Sequence, residues 1–198
     1  MTTRTSQVTR RTGETDIQLS LNVDGIGKVT ADTGVPFLDH MLDALGRHGR
    51  MDLNITVAGD AAMDPHHTVE DTGIAIGQAL REALGDRKGI ERYGFAYTPL
   101  DEALARVVID ISGRPYFEMH ATMPEAVIGA DFAASLVEEF WRSVSMNAGL
   151  TVHIDLLRAR NSHHAAEAIF KAAAVALRTS VRQSGPADSI PSTKGVLA

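Results

Sequence analysis

The sequence contains no cysteine in its 198 residues. Disulfide bridges and thiolate metal sites are therefore excluded, and any metal must be bound by nitrogen and oxygen ligands. A surplus of basic residues is also missing, because the formal net charge is −6 and no arginine-rich run offsets it. This balance argues against nucleic acid as a partner and favours small molecules or further copies of the chain.

Long apolar runs are absent as well. No segment approaches the ~20 apolar residues needed to span a membrane, and the N-terminal stretch MTTRTSQVTRRTGE lacks the apolar core of a signal peptide. We therefore expect a cytoplasmic protein with no membrane partner. The composition is 44% hydrophobic and 22% charged, which suffices for a substantial core in one domain or in two small fused halves.

The first half of the chain changes repeatedly between strand-like and helix-like patterns. The predicted elements are strands at 17–23 and 28–32, a helix at 36–49, a strand at 51–59 and a helix at 66–85. Apolar and polar residues alternate in the strands, and the turn residues DGIG between the first two strands predict a β-hairpin. Asp64 as N-cap and Pro65 at the first helical position predict where the second helix begins.

The second half repeats this order. Its predicted elements are strands at 102–112 and 114–121, a helix at 131–149, a strand at 150–157 and a helix at 161–181. Both halves read β-β-α-β-α, which predicts an α+β fold built from an internal repeat. The segment 86–99, which contains glycine and proline, is the expected joint. We accordingly divide the chain into a first repeat at 1–93, a second repeat at 94–184 and a C-terminal tail at 185–198.

Four of the eight histidines form two similar clusters, HHTVED at 66–71 and HHAAEA at 163–168. Each cluster opens the last predicted helix of its half. On a helix, the first histidine lies about 40° from the glutamate and about 100° from the second histidine, so one helix end can serve two metals. Imidazole and carboxylate ligands suit Mn, Fe, Zn or Ni better than Mg or Ca. Surface histidines are the alternative, but they would not explain the recurrence at matching positions.

Aligning the two halves also pairs residues of the middle helices. His40 falls opposite Glu139, so each half offers one candidate ligand from its middle helix and three from its final helix. His48 lies eight residues after His40 on the same predicted helix. It is a candidate catalytic residue, with core packing as the alternative.

Six motifs occur in an order that resembles the imidazoleglycerol-phosphate dehydratase family: FLDHML, HHTVED, PLDEAL, SGRPY, NSHHAAEAIFKA and IPSTKGVL. The resemblance runs from about Arg11 to Leu197. It implies a duplicated α/β unit with two four-stranded sheets and paired helices, similar to domain 2 of ribosomal protein S5. It also implies trimers assembled into a 24-mer, with two Mn²⁺ ions in each active site between subunits.

The resemblance implies roles for individual residues in dehydrating imidazole glycerol phosphate to imidazole acetol phosphate, a step of histidine biosynthesis. The implied metal ligands are His40, His66, His67, Glu70, Glu139, His163, His164 and Glu167. The implied phosphate contacts are Arg92, Arg114, Lys171, Ser192 and Lys194, and Glu14 is the implied general base. Glu139 departs from the family pattern, since many relatives carry histidine there, and Ala44 stands where some relatives place a glutamine near the phosphate.

Two other functions are compatible with paired metal clusters. A di-metal hydrolase would hold hydroxide between its metals and attack an ester or amide. A metal-storing or structural shell protein would need the ligands but no phosphate pocket, and the basic residues together with PSTKG argue against it.

Overall fold

The computed structural model describes residues 4–59, 64–186 and 188–197. The elements in chain order are β1 (Thr5–Arg11), β2 (Thr15–Asn22), β3 (Val29–Asp32), α1 (Pro36–Gly49), β4 (Asp52–Gly59), α2 (His66–Leu84), β5 (Tyr93–Leu100), β6 (Ala103–Asp110), β7 (Tyr116–His120), β8 (Val127–Ile128), β9 (Phe132–Ala133), α3 (Leu136–Ala148), β10 (Thr151–Arg158) and α4 (Ser162–Ser180). None of the described helices combines the length and hydropathy needed to cross a membrane.

Two four-stranded sheets share one arrangement of strands. The first has the order β1-β2-β4-β3 and the second has the order β5-β6-β10-β7. In each sheet an antiparallel hairpin is extended by a third antiparallel strand, and the remaining edge strand joins in parallel. The predicted α+β class with two four-stranded sheets is confirmed. Apart from the short β8–β9 pair in the second half, each half reads β-β-β-α-β-α rather than β-β-α-β-α.

The predicted hairpin between 17–23 and 28–32 is wrong. β2 lies between β1 and β4, whereas β3 pairs with β4 in parallel. The reason is the carboxylate of Asp52 at the start of β4, because its Oδ1 accepts the backbone N–H groups of Ile26, Gly27 and Lys28 at 2.9, 3.1 and 2.9 Å. These hydrogen bonds draw the loop toward β4 instead of folding β3 back onto β2.

Strands β1 and β5 were not predicted, and β5 occupies the second half of the segment 86–99 that was interpreted as a joint. The buried residues of β5 are Gly94 and Ala96, whereas Tyr93, Phe95 and Tyr97 are exposed. A Cβ atom at Gly94 would lie 1.9 Å from the carbonyl oxygen of Ala176 on α4. Because α4 approaches so closely, β5 has small residues on its buried face and large aromatic residues on its exposed face. The boundary placed between residues 93 and 94 follows the first residue of β5, and the three-part division stays a prediction.

The helices match the predictions more closely. α1 spans the predicted residues, and α2 begins at His66, with Asp64 accepting the His66 N–H at 2.9 Å although Pro65 holds the N-cap position. α3 begins five residues later than predicted, at Leu136, because the short strands β8 and β9 pair with each other just before it.

The four helices pack in pairs that join the two halves, α1 against α4 and α2 against α3. Glycines allow the α2–α3 contact to be close: a Cβ at Gly73 would lie 2.8 Å from the Phe140 carbonyl oxygen, and one at Gly77 would lie 2.8 Å from that of Val144. Phe140 also belongs to an aromatic cluster with Trp141 and Phe170, in which ring centroids are 5.0–5.2 Å apart. This packing fixes which side chains meet at the helix ends.

Candidate functional site

His40, His163 and Glu167 form a group where α1 meets α4. The Nε2 atoms of His40 and His163 lie 3.1 and 3.3 Å from Glu167 Oε2, and the three ligand atoms are all within 4.8 Å of one another. Phe37 packs edge-on against His163, with ring centroids 5.3 Å apart. Two nitrogens and one oxygen therefore converge beside an apolar wall, a donor set that fits a divalent transition metal.

Glu167 is held in its ionised form. Burial would raise the pKa of its carboxyl, but hydrogen bonds from Lys171 and His40 outweigh that effect and lower the pKa to about 2. Lys171 Nζ lies 2.6 Å from Glu167 Oε1. An ionised carboxylate with a fixed orientation is ready to bind a cation without first losing a proton.

His66, Glu70 and Glu139 form a second group where α2 meets α3. His66 Nε2 lies 3.9 Å from Glu70 Oε2, and the ligand atoms of the three residues are again within 4.8 Å of one another. Arg142, one turn along α3, forms an ion pair with Glu139. This group offers one nitrogen and two oxygens, so it also fits a divalent metal but is richer in carboxylate than the first group.

His67 and His164 lie outside these two groups. In each adjacent pair of histidines the rings are nearly perpendicular, with centroids 6.0 and 6.2 Å apart, as expected when neighbouring helical residues diverge by about 100°. His67 Nε2 lies 3.6 Å from Glu14 Oε1. His164 Nδ1 lies 2.9 Å from Glu102 Oε2.

Glu14 and Glu102 occupy equivalent places, each in the turn between the first two strands of its sheet. The hydrogen bond with His164 lowers the pKa of Glu102 to about 2 and raises the pKa of His164. Sequence reasoning singled out Glu14 but missed Glu102. The signal that could have found Glu102 is its place in PLDEAL, which becomes equivalent to that of Glu14 once β1 and β5 are recognised as strands.

Asp71 fastens the turn that carries Glu14 to α2. Its carboxylate is buried, lies 2.6 Å from Arg10 Nη1 and accepts the Thr15 hydroxyl at 2.5 Å. Arg10 and Thr15 lie on β1 and β2, on either side of the turn. Asp71 was not predicted from the sequence, because its role depends on the pairing of β1 with β2.

The predicted phosphate contacts are spread over several elements. Arg92 donates to both carboxylate oxygens of Asp110 at 2.7 and 3.0 Å and to the Pro191 carbonyl oxygen at 2.8 Å. It thereby anchors the segment that contains Ser192 and Lys194, where the Lys194 N–H donates to the Ser192 hydroxyl at 3.2 Å. Arg114 is exposed in the loop between β6 and β7.

His48 is exposed near the end of α1 and belongs to neither three-residue group. Desolvation by the surrounding protein and the positive charge of Lys171 lower the pKa of His48. Its carbonyl oxygen accepts a hydrogen bond from Arg178 of α4 at 3.1 Å. His48 thus lies on the side of α1 that faces α4, and its catalytic role stays a prediction.

Known proteins resemble this chain over almost its whole length. A family model described as imidazoleglycerol-phosphate dehydratase matches residues 33–177. Proteins of that name from Nitrosomonas eutropha and Thiobacillus denitrificans are 56% and 57% identical over 195 residues, which is 98% of this chain and 100% of each relative.

Two solved structures with the same name share the fold. The Staphylococcus aureus protein has a TM-score of 0.82 at 44% identity, covering 91% of this chain and 99% of its own. The Pyrococcus furiosus protein has a TM-score of 0.82 at 37% identity, covering 96% of this chain and 100% of its own. The similarity therefore includes both sheets and all four helices.

Proposed function

Because this chain belongs to the imidazoleglycerol-phosphate dehydratase family, we propose that its two histidine–glutamate groups bind the metals of a dehydration site. The chain is a hydro-lyase of histidine biosynthesis, and it removes water from imidazole glycerol phosphate to give imidazole acetol phosphate. The observation that carries the proposal is the convergence of mixed imidazole and carboxylate ligands at both helix pairs.

Two Mn²⁺ ions for each active site are the metals we propose. Manganese accepts both imidazole nitrogen and carboxylate oxygen, and both groups offer that mixture. When bound, the metals would act as Lewis acids on the imidazole ring of the substrate. This chemistry is needed because the proton leaves a carbon that has no adjacent carbonyl to acidify it.

The sites are shared between subunits in this proposal. Each group gathers three ligands, which leaves coordination positions for a further protein ligand and for the substrate. His67 and His164 point away from the group on their own helix, so they are the side chains that can reach a group on a neighbouring subunit. An oligomer of trimers, up to the 24-mer, is the assembly that would use all eight ligands.

Proton transfer and substrate orientation are assigned to the remaining residues. Glu14 is our candidate for the base that takes the proton from carbon, since its carboxylate lies 3.6 Å from His67 and its side chain is half exposed. Arg92, Arg114, Lys171, Ser192 and Lys194 are proposed to bind the phosphate. Binding at the phosphate would align the reacting carbons with the base.

Activity measured against metal content tests the proposal. The metal-free protein is loaded stepwise with Mn²⁺, incubated with imidazole glycerol phosphate, and followed by absorbance for the enol or ketone product. We expect activity to rise with metal occupancy and to reach its maximum at two ions for each site. Full turnover by metal-free protein would contradict the assignment of the two groups.

A further inference from the structure

We infer that Glu102 is a positioning residue that fixes the ring of His164, so that Nε2 is the nitrogen left to bind metal. The inference rests on the proposed function, because it gives a specific task to one of the proposed ligands. Glu102 is not itself a ligand in this view. It acts on the metal only through the orientation and proton position of His164.

The carboxylate of Glu102 is held at both oxygens. Oε2 lies 2.9 Å from His164 Nδ1, and Oε1 accepts the backbone N–H of Arg160 at 3.2 Å. The His164 backbone is fixed as well, since its N–H donates to the side chain of Asn161, the N-cap of α4, at 3.1 Å. The ring is therefore positioned from its backbone and from Nδ1 together.

Glu102 Oε2 lies 2.9 Å from Nδ1, and a carboxylate oxygen accepts hydrogen bonds, so Nδ1 is the nitrogen that donates. In a neutral imidazole only one nitrogen is protonated, and a proton on Nδ1 leaves the lone pair on Nε2. Metal-binding histidines commonly have such a partner on their other nitrogen, which orients the ring and makes it a stronger ligand. Glu102 supplies that partner within the chain itself.

The equivalent turn of the first half is built differently. Glu14 lies 3.6 Å from His67, which is too long for a hydrogen bond, and it faces Nε2 rather than Nδ1. Its side chain is 53% exposed, compared with 20% for Glu102. The equivalent glutamates of the two sheets therefore differ in role. The Glu14 carboxylate remains available for proton transfer, whereas the Glu102 carboxylate holds the imidazole ring of His164.

The test compares Glu102→Gln with Glu125→Gln in the full assembly. Glu125 is a matched control because its carboxylate also contacts the start of α4, where it accepts the Ser162 backbone N–H at 2.5 Å and not a histidine ring N–H. Metal content is measured after dialysis against a graded series of Mn²⁺ concentrations, and thermal unfolding is measured on the metal-free proteins. Glu102→Gln should bind one of its two ions roughly 10–100-fold more weakly, while Glu125→Gln binds both as the parent does.

A structural role alone would lower the unfolding temperature of metal-free Glu102→Gln and leave its metal affinity unchanged, and that result would overturn the inference. The His164→Ala variant distinguishes failure of the positioning role from failure of the proposed metal site. If His164→Ala loses metal and Glu102→Gln does not, only the positioning role is wrong. If His164→Ala keeps both ions at full affinity, the proposed metal site is wrong.

Discussion

The ligand atoms of His66 and Glu139 lie within 4.8 Å of each other, although the first residue belongs to α2 and the second to α3. Arg142 forms an ion pair with the same Glu139 carboxylate. A metal bound at this group would compete with the Arg142 guanidinium for the Glu139 carboxylate, and this competition can be measured.

We predict that Glu139→Gln weakens metal binding at the α2–α3 group, because a neutral amide is a poorer ligand than a carboxylate. Arg142→Gln should have the opposite effect, since it frees the carboxylate. Glu139→His should keep the ion but shift preference from Mn²⁺ toward Zn²⁺, as imidazole favours the softer metal. Competition dialysis with both metals, followed by elemental analysis, measures all three. Unchanged binding in Glu139→Gln would mean that the carboxylate serves Arg142 alone.

His67→Ala and His164→Ala should each abolish activity and lower metal content, because the proposed sites need them as ligands. Sharing between subunits adds a further expectation. His67→Ala and Glu167→Gln assemblies, each inactive, should regain part of the activity when they are dissociated, mixed and reassembled. Some mixed sites would then contain no mutated residue. Mixtures that stay inactive would place each complete site within a single chain.

Arg114→Ala and Lys194→Ala should weaken substrate binding while leaving both metals in place. Charge-assisted hydrogen bonds to a phosphate contribute about 1.5–3 kcal/mol each, which corresponds to a KM increase of roughly tenfold or more. Steady-state kinetics together with metal analysis checks the prediction. An unchanged KM in both variants would remove these two residues from the phosphate site.

Metal removal should reduce the size of the proposed oligomer. Metal binding requires neutral imidazoles, so acidification below the ordinary histidine pKa of about 6.5 or addition of a chelator should release the ions and yield trimers or smaller species. Activity should fall in parallel, and Mn²⁺ at neutral pH should restore both. Light scattering and a metal assay over one titration make the comparison. A large particle that persists without metal would show that protein packing alone holds it.

Asp52→Asn should destabilise the first half at neutral pH. Burial would raise the pKa of Asp52, but hydrogen bonds from Lys28, Ile26, Asn22 and Gly27 outweigh it, so the pKa is lowered. A lowered pKa means that the ionised group stabilises the fold fully above its unfolded value of about 3.9, and that this contribution is lost as the pH falls through the lower folded value. We expect a loss of about 1–2 kcal/mol at pH 7.

Urea unfolding of the metal-free parent and variant at pH 7 and at decreasing pH measures this difference. The gap between the two proteins should narrow below about pH 4, where Asp52 of the unfolded parent becomes protonated. A gap that stays constant down to acid pH would show that the charge of Asp52 does not stabilise the loop.

Local patterns were sufficient to predict the helices and the fold class, because apolar spacing and the residues before α2 and α4 act over a few positions. They failed where a distant contact decides the local structure. Gly94 and Ala96 make β5 look unlike a strand until α4 is placed against it, and the loop before β3 depends on Asp52.

For the candidate ligands, too, the sequence predicts the local pattern but not the contacts between distant elements. The sequence predicts the two clusters and pairs His40 with Glu139 by position, but it does not say which helices touch. That depends on close packing at Gly73 and Gly77, which brings Glu139 to His66 rather than to His163. Glu102 was missed for a similar reason, since its likeness to Glu14 appears only when the strands are paired.

Each helix pair that forms a candidate metal group combines one helix from the first half with one from the second half. Each group takes ligands from both halves, so a backbone cut between α2 and β5 would leave neither fragment with a complete group. The two groups nevertheless share no residue. A substitution at Glu139 would therefore change the ligands offered to one proposed ion and leave those of the other group intact, so the affinities of the two groups can change independently.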